Sequence, residues 1–350
     1  YIYTINTNGF TGCKTLQQVR IPPWIDSIED FAFSWCDSLN SIIISSSVAS
    51  IGKSVFLGCQ RLEHISVSPE NQYYTSVDDV LFSKDMRILI CYPPAKQYQS
   101  YSIPQSVAMI DDSAFSLCFN LLKIEIPPNV TSIGKLAFSN CSMLSSIQLP
   151  PKLISIDDQA FWQCANLRHI SIPSNVESIG NLAFSFSGIT QITIPASLTK
   201  LGSCVFVKCG NLESINVDEN NPCFSSKDGI LFTKDMKNLI CYPQAKTNDQ
   251  YIIPDTVTNI ATSAFSASRL TSIRIQSNVV IEASAFSLSN LKSIEFLSGV
   301  QSIGENAFAY CYSLKTITIP PGVATVGARA FSDCSHLESV IISPNVVSIE

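Results

Sequence analysis

Apolar residues recur along this chain in blocks about 23 residues long. Within a block the pattern is L-x-x-I-x-I-P, then x-x-V-x-x-I-G, then x-x-A-F-x-x-C. One block runs from Leu121 to Cys141, and the next runs from Leu144 to Cys164. A period of 20 to 50 residues is typical of a solenoid, in which each coil contacts only its neighbours.

Each block predicts three short elements. The I-x-I part alternates apolar and polar residues, which indicates a strand with one buried face, and the proline after it ends that strand. The V-x-x-I-G part predicts a second short extended segment. The A-F-x-x-C part is too short for a free helix, so we expect one helical or 3₁₀ turn that inserts the phenylalanine into the core.

Twelve phenylalanines mark the A-F position, and most of them are 21 to 23 residues apart. Two intervals are 59 residues, which we interpret as one ordinary coil of 23 and one enlarged coil of 36. We therefore predict about fourteen coils, with enlarged coils near residues 66–101 and 216–251. The enlarged coils contain matching segments, 80–93 and 230–243, in which two apolar runs flank a Lys-Asp centre and predict a β-hairpin.

This unit resembles the leucine-rich repeat of the BspA-like (Treponema pallidum-type) family across essentially the whole chain. The chain departs from the cysteine column of that pattern at Ser187, Ser268 and Ser289. The resemblance implies a right-handed leucine-rich-repeat solenoid that is rich in β-structure, with a parallel sheet on its concave face. It also implies cell-surface proteins of anaerobic bacteria and parasitic protozoa that act in adhesion and protein binding.

Composition excludes some classes of function. The net charge is −6 and charged residues make up only 14% of the chain, which is too acidic and too sparse for a nucleic-acid surface. No run of 18 apolar residues exists, so the sequence predicts no membrane span. The chain opens and closes in repeat sequence without polar caps, so we expect residues 1–350 to be a single solenoid cut from a longer protein.

The thirteen cysteines are better explained by packing than by chemistry. Nine of them follow the marker phenylalanine by three residues, so stacking would align them in one column. Neighbours would be close enough for a disulfide, but their side chains would point the same way, and a straight column cannot surround a zinc ion. We expect a buried column of small side chains.

No grouping of residues predicts catalysis, a metal or a cofactor. His64 and His169 fall in one exposed column four coils apart, and neither has a nucleophile beside it. The acidic pairs Asp111-Asp112 and Asp157-Asp158 supply too few oxygens for calcium, which favours solvated turns. We therefore predict a protein that is not an enzyme.

The exposed residues of the I-x-I strands are the first candidate for protein binding, because solenoids use concave faces for partners. The alternative is a soluble sheet face without a ligand. The candidate contacts on this face are Lys123, Glu125, Gln148, His169, Gln191, Asn216, Arg274 and Glu295.

The hairpins are the second candidate, because insertions in repeat arrays often map to the binding face. The alternative is that their aromatic residues, including Tyr92 and Tyr242, pack the core of the enlarged coil itself. The candidate hairpin contacts are Lys84, Asp85, Met86, Lys234, Asp235 and Met236.

Two glycosylation sequons begin at Asn129 and Asn140 and weakly favour secretion. Our leading expectation is a protein-binding or adhesion module of a secreted or cell-surface protein, with host or other extracellular proteins as partners. The alternative is a cytoplasmic scaffold, which the many cysteines favour. The ligand and the oligomeric state do not follow from the sequence.

Overall fold

The computed structural model describes residues 3–297 and 299–350, which are wound into a parallel β-solenoid of about fifteen turns. The described residues contain thirty-two short strands and no helix. In chain order the strands are β1 (Thr4–Ile5), β2 (Gln18–Arg20), β3 (Ser27–Ile28), β4 (Ser41–Ile44), β5 (Ser50–Ile51), β6 (His64–Val67), β7 (Tyr74–Val77), β8 (Val80–Ser83), β9 (Ile88–Cys91), β10 (Ser100–Ser102), β11 (Met109–Ile110), β12 (Lys123–Glu125), β13 (Ser132–Ile133), β14 (Ser146–Ile147), β15 (Ser155–Ile156), β16 (Ser178–Ile179), β17 (Gln191–Ile194), β18 (Lys200–Leu201), β19 (Ser214–Val217), β20 (Phe224–Lys227), β21 (Ile230–Thr233), β22 (Asn238–Cys241), β23 (Gln250–Ile253), β24 (Asn259–Ile260), β25 (Ser272–Ile275), β26 (Val279–Ile281), β27 (Ser293–Phe296), β28 (Val300–Ile303), β29 (Thr316–Ile319), β30 (Thr325–Val326), β31 (Ser339–Ile342) and β32 (Ser348–Ile349).

The chain divides into two compact units. Unit 1 comprises Tyr1–Ser187 with Lys200–Val205, and unit 2 comprises Gly188–Thr199 with Phe206–Glu350. The expectation that residues 1–350 form a single solenoid domain stays a prediction. Our count of about fourteen coils rested on the aromatic corners, and the residues after the last corner, at Phe331, form β31 and β32 of a further turn.

Both predicted strands of the repeat are present, and each forms a column of parallel strands. The first-strand column contains the I-x-I strands: β2, β4, β6, β10, β12 and β14 in unit 1, and β17, β19, β23, β25, β27, β29 and β31 in unit 2. The second-strand column contains the I-G strands: β1, β3, β5, β11, β13, β15, β16 and β18 in unit 1, and β24, β26, β28, β30 and β32 in unit 2. Alternate residues of each strand point into the core, so the others are displayed on the surface.

The A-F corner of the coil is not helical, and our prediction of a helical turn was wrong. The N–H of Ser34 bonds to the carbonyl of Phe31 in the same corner, but the N–H of Phe33 bonds to the carbonyl of Val55 in the next coil. A helix would keep all of these bonds internal. The corner is closed instead by two left-handed residues, Phe31 and Trp35, each with φ 57°. The predicted insertion of the aromatic ring is confirmed, because Phe33 is buried.

The corner rings stack along the core of each unit and are buried except at two ends of the stacks, where Phe10 is exposed and Phe331 is half-buried. Neighbouring ring centroids are 5.0 to 6.2 Å apart in three stacks: Phe10–Phe33–Phe56 and Tyr92–Phe115–Phe138–Phe161–Phe184 in unit 1, and Tyr242–Phe265–Phe286–Phe308–Phe331 in unit 2. In the enlarged coils, Tyr92 and Tyr242 occupy the phenylalanine position. These two tyrosines therefore pack the core, as the alternative interpretation of the hairpin aromatics proposed.

The predicted hairpins are present, and each has a third strand that the sequence did not reveal. In unit 1, β7, β8 and β9 pair antiparallel, and β9 then pairs parallel with β11 in the second-strand column. In unit 2, β20, β21 and β22 repeat this arrangement, and β22 pairs with β24.

A buried asparagine holds the start of each enlarged coil. The Asn71 side-chain nitrogen donates to the carbonyls of Ser45 (2.8 Å) and Val48 (2.9 Å), and its oxygen accepts from the N–H groups of Tyr73 and Tyr74 (2.8 Å each). Asn221 makes the matching four bonds in unit 2. The amide of Asn71 is thus fully satisfied away from solvent.

Candidate protein-binding face

Four of the predicted contact residues lie around one groove in unit 1. The groove has a volume of about 1020 Å³ and lies over the first-strand column at β12, β14 and residues 169–174. Ile147 and Ile170 are buried and form part of its floor. The candidate residues that line it, all exposed, are Lys123, Glu125, Gln148 and His169.

The charges at one end of this groove compensate one another. The Lys123 ammonium lies 2.7 Å from the Glu125 carboxylate, which also accepts a 2.7 Å bond from the Ser102 hydroxyl. These contacts, the Lys123 bond first, lower the pKa of Glu125. In contrast, no described residue forms a hydrogen bond with the side chain of Gln148 or His169. These two side chains are available to a partner.

The other four candidates belong to unit 2 and are also exposed on the first-strand column. Arg274 on β25 and Glu295 on β27 face each other across adjacent strands and form a 2.7 Å ion pair. Gln191 and Asn216 lie on the neighbouring strands β17 and β19, but at different levels of the register. The structure thus brings Arg274 and Glu295 together.

The hairpin tips are occupied largely by their own hydrogen bonds. The Asp85 carboxylate accepts bonds from the Ser83 hydroxyl (2.6 Å) and the Arg87 N–H (3.1 Å), and these contacts, the Ser83 bond first, lower the pKa of Asp85. The Lys84 ammonium lies 3.4 Å from the Pro69 carbonyl. Met86 is half-buried, with a left-handed φ of 58°.

The second tip repeats this arrangement. The Asp235 carboxylate accepts from the Thr233 hydroxyl and the Lys237 N–H, while Lys234 donates to the Glu219 carbonyl at 3.0 Å. Met236 packs against the core of unit 2. Much of the tip sequence therefore serves to close the turn, and a contact role for the six tip residues stays a prediction.

A line of charged groups crosses the first enlarged coil, and sequence reasoning missed it. The Lys96 side chain is only 8% exposed, and its ammonium lies 3.3 Å from one oxygen of Asp79. The other Asp79 oxygen lies 3.3 Å from Nδ1 of His64 on β6. The same ammonium lies 5.3 Å from the centre of the exposed Tyr98 ring. His64 is exposed, as its column predicted, but its imidazole also contacts Asp79.

The second enlarged coil lacks this line of charges. Serine (Ser214) stands at the position of His64, and glycine (Gly229) stands at the position of Asp79. Lys246 instead donates to the backbone carbonyl of Asp228 at 2.6 Å. Asp79 has a left-handed φ of 62°, whereas Gly229, with φ 73°, has no side chain to oppose this conformation. The comparison of the two copies was the signal that could have revealed the site.

The cysteine column has a hydrogen-bonding role that its spacing did not reveal. The thiols of Cys59, Cys141 and Cys164 each lie 3.1 Å from a phenylalanine carbonyl of the preceding coil. These cysteines are fully buried, and burial raises the pKa of Cys164 well above its usual range. The column is buried, as we expected, at seven of its nine cysteines, but Cys13 is exposed and Cys334 is half-buried.

The acidic pairs form hydrogen bonds and an ion pair between coils. Asp112 accepts the N–H of Lys135 in the next coil at 2.9 Å, and Asp158 accepts the N–H of Asn181 at 2.7 Å. Lys53 forms an ion pair with Asp111. Within residues 3–297 and 299–350, no group of three or more His, Cys, Asp or Glu side chains is placed to hold a metal ion.

The two sequons differ in accessibility. Asn129 is exposed, and its side-chain oxygen lies 3.2 Å from the Lys152 ammonium. Asn140 is half-buried in a corner, has φ 59°, and donates to the Ser139 hydroxyl. Glycosylation stays a prediction, and Asn129 is the more accessible acceptor. The described residues contain no helix that is long and apolar enough to cross a membrane.

Comparison with known proteins identifies relatives of the same architecture. A leucine-rich cell surface protein from Faecalibacterium prausnitzii A2-165 is 25% identical, with a TM-score of 0.63 over 94% of this chain and 88% of that one. A leucine-rich repeat protein from Eubacterium ventriosum is 22% identical, with a TM-score of 0.63 over 80% of this chain and 91% of that one. The pneumococcal vaccine antigen PcpA is 22% identical, with a TM-score of 0.51 over 75% of this chain and 63% of that one.

A search of curated protein sequences found no match. The pattern described as the BspA type leucine rich repeat region matches in six copies over residues 1–89, 91–225 and 241–350, which together cover nearly the whole sequence. These matches agree with the coil, the two strand columns and the buried corner described above. This chain therefore belongs to the family of BspA-type leucine-rich repeat proteins.

Proposed function

We propose that this chain is a non-enzymatic protein-binding module of a cell-surface protein, and that it attaches to host or other extracellular proteins. The observation that carries the proposal is the groove of unit 1, where Gln148 and His169 have no hydrogen-bonded partner among the described residues and lie beside a buried apolar floor. Protein contacts favour such a combination of apolar centre and polar rim. The Faecalibacterium relative, described as a cell surface protein, supports the location.

A binding screen with one filled-groove variant tests the proposal. Immobilised protein is exposed to a panel of purified extracellular proteins, and hits are compared between wild type and Gln148→Trp. Ser66→Trp is the matched control, because Ser66 is an exposed residue at the same strand position of unit 1, outside the groove and not among the candidate contacts. Loss of binding in Gln148→Trp alone supports the groove as the contact. Equal binding by all three proteins would exclude it.

A cytoplasmic scaffold is the second candidate, and reduced thiols favour it. Cys36, Cys59 and Cys118 are buried thiols without disulfides, as is usual in a reducing compartment. Antibody staining of intact, unpermeabilised source cells separates the two candidates. A surface signal supports the adhesion module, whereas staining only after permeabilisation would move the search to cytoplasmic partners.

A further inference from the structure

The groove exists because the parallel ladder of the first-strand column stops early there. In the same unit, β4 and β6 pair over four levels, from Ser41↔His64 to Ile44↔Val67. The pairing of β12 with β14 ends after two levels, and a single bridge, Ser146↔His169, continues the ladder to the next coil. The later halves of three successive segments, at 125–126, 148–149 and 171–172, are therefore not joined to one another.

Successive prolines explain this loss. In the paired part of the column, the N–H of Ser68 closes the ladder by donating to the carbonyl of Ile44 at 2.9 Å. The equivalent donors for the carbonyls of Ile126 and Leu149 would be residues 150 and 173, and both are proline. Proline has no N–H, so neither bond can form. Both carbonyls belong to residues that line the groove.

The N–H groups of the same residues also lack acceptors within residues 3–297 and 299–350. One coil earlier, the N–H of Ile103 donates to the Glu125 carbonyl at 3.0 Å. Among the described residues, Ile126 and Leu149 have no such bond to the following coil. Each residue therefore presents one unused main-chain donor and one unused acceptor. Unpaired main-chain groups at the open edge of a sheet are a template for another extended chain, and the early end of the ladder leaves comparable unpaired groups at Ile126 and Leu149.

We propose that the groove of unit 1 binds an extended peptide segment of a partner protein by hydrogen bonds to the main chain of Ile126 and Leu149. The inference rests on the proposed function and names the form of the partner. The apolar floor accommodates apolar side chains of the peptide. Because Lys123 and Glu125 neutralise each other at the rim, net charge does not select the peptide. Recognition is therefore tolerant of sequence and weakly dependent on salt.

The volume of the groove fits such a ligand. At about 1020 Å³ it is as large as the larger ligand pockets of proteins, and it is open along three successive coils. Gln148 and His169 lie at the rim and can bond to a peptide from the side.

The test restores the missing donors. The double variant Pro150→Ala with Pro173→Ala supplies N–H groups for the carbonyls of Ile126 and Leu149, so the ladder can close. The control is Pro22→Ala, which changes a proline at the same place of another coil of unit 1, outside the groove. Circular dichroism and thermal unfolding establish that all variants fold.

The probe is a random dodecapeptide library displayed on phage, followed by synthesis of one selected peptide. We expect the selected peptide to bind wild type and Pro22→Ala equally, and the double variant about tenfold or more weakly, because two main-chain hydrogen bonds are lost. Two further versions of the peptide are N-methylated, one at its odd-numbered residues and one at its even-numbered residues. Because only one of these sets of N–H groups can face the main chain of the groove, one of the two versions should lose affinity to a similar extent.

Three results would overturn the inference. They are selection of no peptide, equal affinity for the double variant, and full affinity of both N-methylated peptides. If Gln148→Trp still abolishes binding of a whole extracellular protein in that case, the proposed function stands and only the extended-peptide form of the partner is wrong. If that protein binding is also unaffected, the proposed function fails as well.

Discussion

Replacing Asp79 by glycine sets two opposing effects against each other. The variant copies the residue found in the second enlarged coil, where Gly229 adopts the same left-handed backbone. Relief of a left-handed side chain gains at most about 1 kcal/mol, and the greater freedom of glycine in the unfolded chain offsets part of that gain. On backbone grounds alone, Asp79→Gly would be neutral or slightly stabilising.

The loss of the carboxylate should outweigh this gain. Removing one partner of a buried ion pair costs about 3–5 kcal/mol, because the other charge is left uncompensated. Lys96 is buried, but the Asp79 side chain is 31% exposed, so water screens part of the interaction. We therefore expect a loss of about 2 kcal/mol from the pair and a net destabilisation of about 1–2 kcal/mol.

A double-mutant cycle measures this balance. Urea unfolding followed by circular dichroism at pH 7 compares wild type, Asp79→Gly, Lys96→Met and the double variant, and the m-values must agree. Because repeat arrays can unfold in parts, hydrogen exchange of the amides in residues 62–101 provides a local readout. The double variant should recover most of the stability, since it leaves no buried charge.

A matched variant separates charge from backbone. Asp79→Asn keeps a side chain that tolerates the left-handed conformation but removes the negative charge. It should destabilise about as much as Asp79→Gly does. If Asp79→Gly proves as stable as wild type or more stable, the Lys96–Asp79 pair is not a net stabilising contact and our reasoning is refuted.

Three further predictions concern the buried column and the enlarged coils. Ser268→Cys should stabilise unit 2 by about 1 kcal/mol in thermal unfolding, because the buried Ser268 hydroxyl has no hydrogen-bond partner in the described part of the chain, and the reciprocal Cys118→Ser should destabilise unit 1. Asn71→Ala should cost about 3 kcal/mol in urea unfolding, since four hydrogen bonds are lost, while the exposed Gln72→Ala stays within about 0.5 kcal/mol. Burial raises the pKa of Cys91 from 9.0 to about 12, so its contribution to stability is complete below pH 9 and should decline between pH 9 and 12; a Cys91→Ala variant should show a shallower decline. Unchanged melting temperatures, midpoints or pH slopes, respectively, would contradict these expectations.

The periodic part of the fold could be predicted from the sequence because each element depends on local pattern. Alternation around Ile124 indicated a strand, and the apolar runs after Val80 indicated a hairpin. The corner could not be predicted in the same way. The N–H groups of the corner donate alternately to carbonyls of the same coil and of the next coil. The carbonyl that each N–H group reaches depends on the neighbouring coil rather than on the length or composition of A-F-x-x-C.

The candidate site was predicted only in part, for a related reason. Exposure of Lys123, Gln148 and His169 follows from strand alternation, so these residues were found. The groove follows from prolines in successive coils, which we had interpreted singly as strand ends. The Asp79–Lys96 pair joins residues 17 positions apart in irregular chain, where no periodicity relates them.

The uniform corner has a consequence for how the chain finds its register while folding. Cys141 bonds to the phenylalanine carbonyl one coil back, and Cys164 does the same, so these bonds do not distinguish one coil from another. A chain displaced by a whole coil would keep most of them. Asn71 and Asn221, which bond to specific carbonyls of the preceding coil, occur only in the enlarged coils. We therefore expect the enlarged coils to fix which coil stacks on which during folding. Deleting one enlarged coil should produce kinetically trapped products in which coils are stacked out of register.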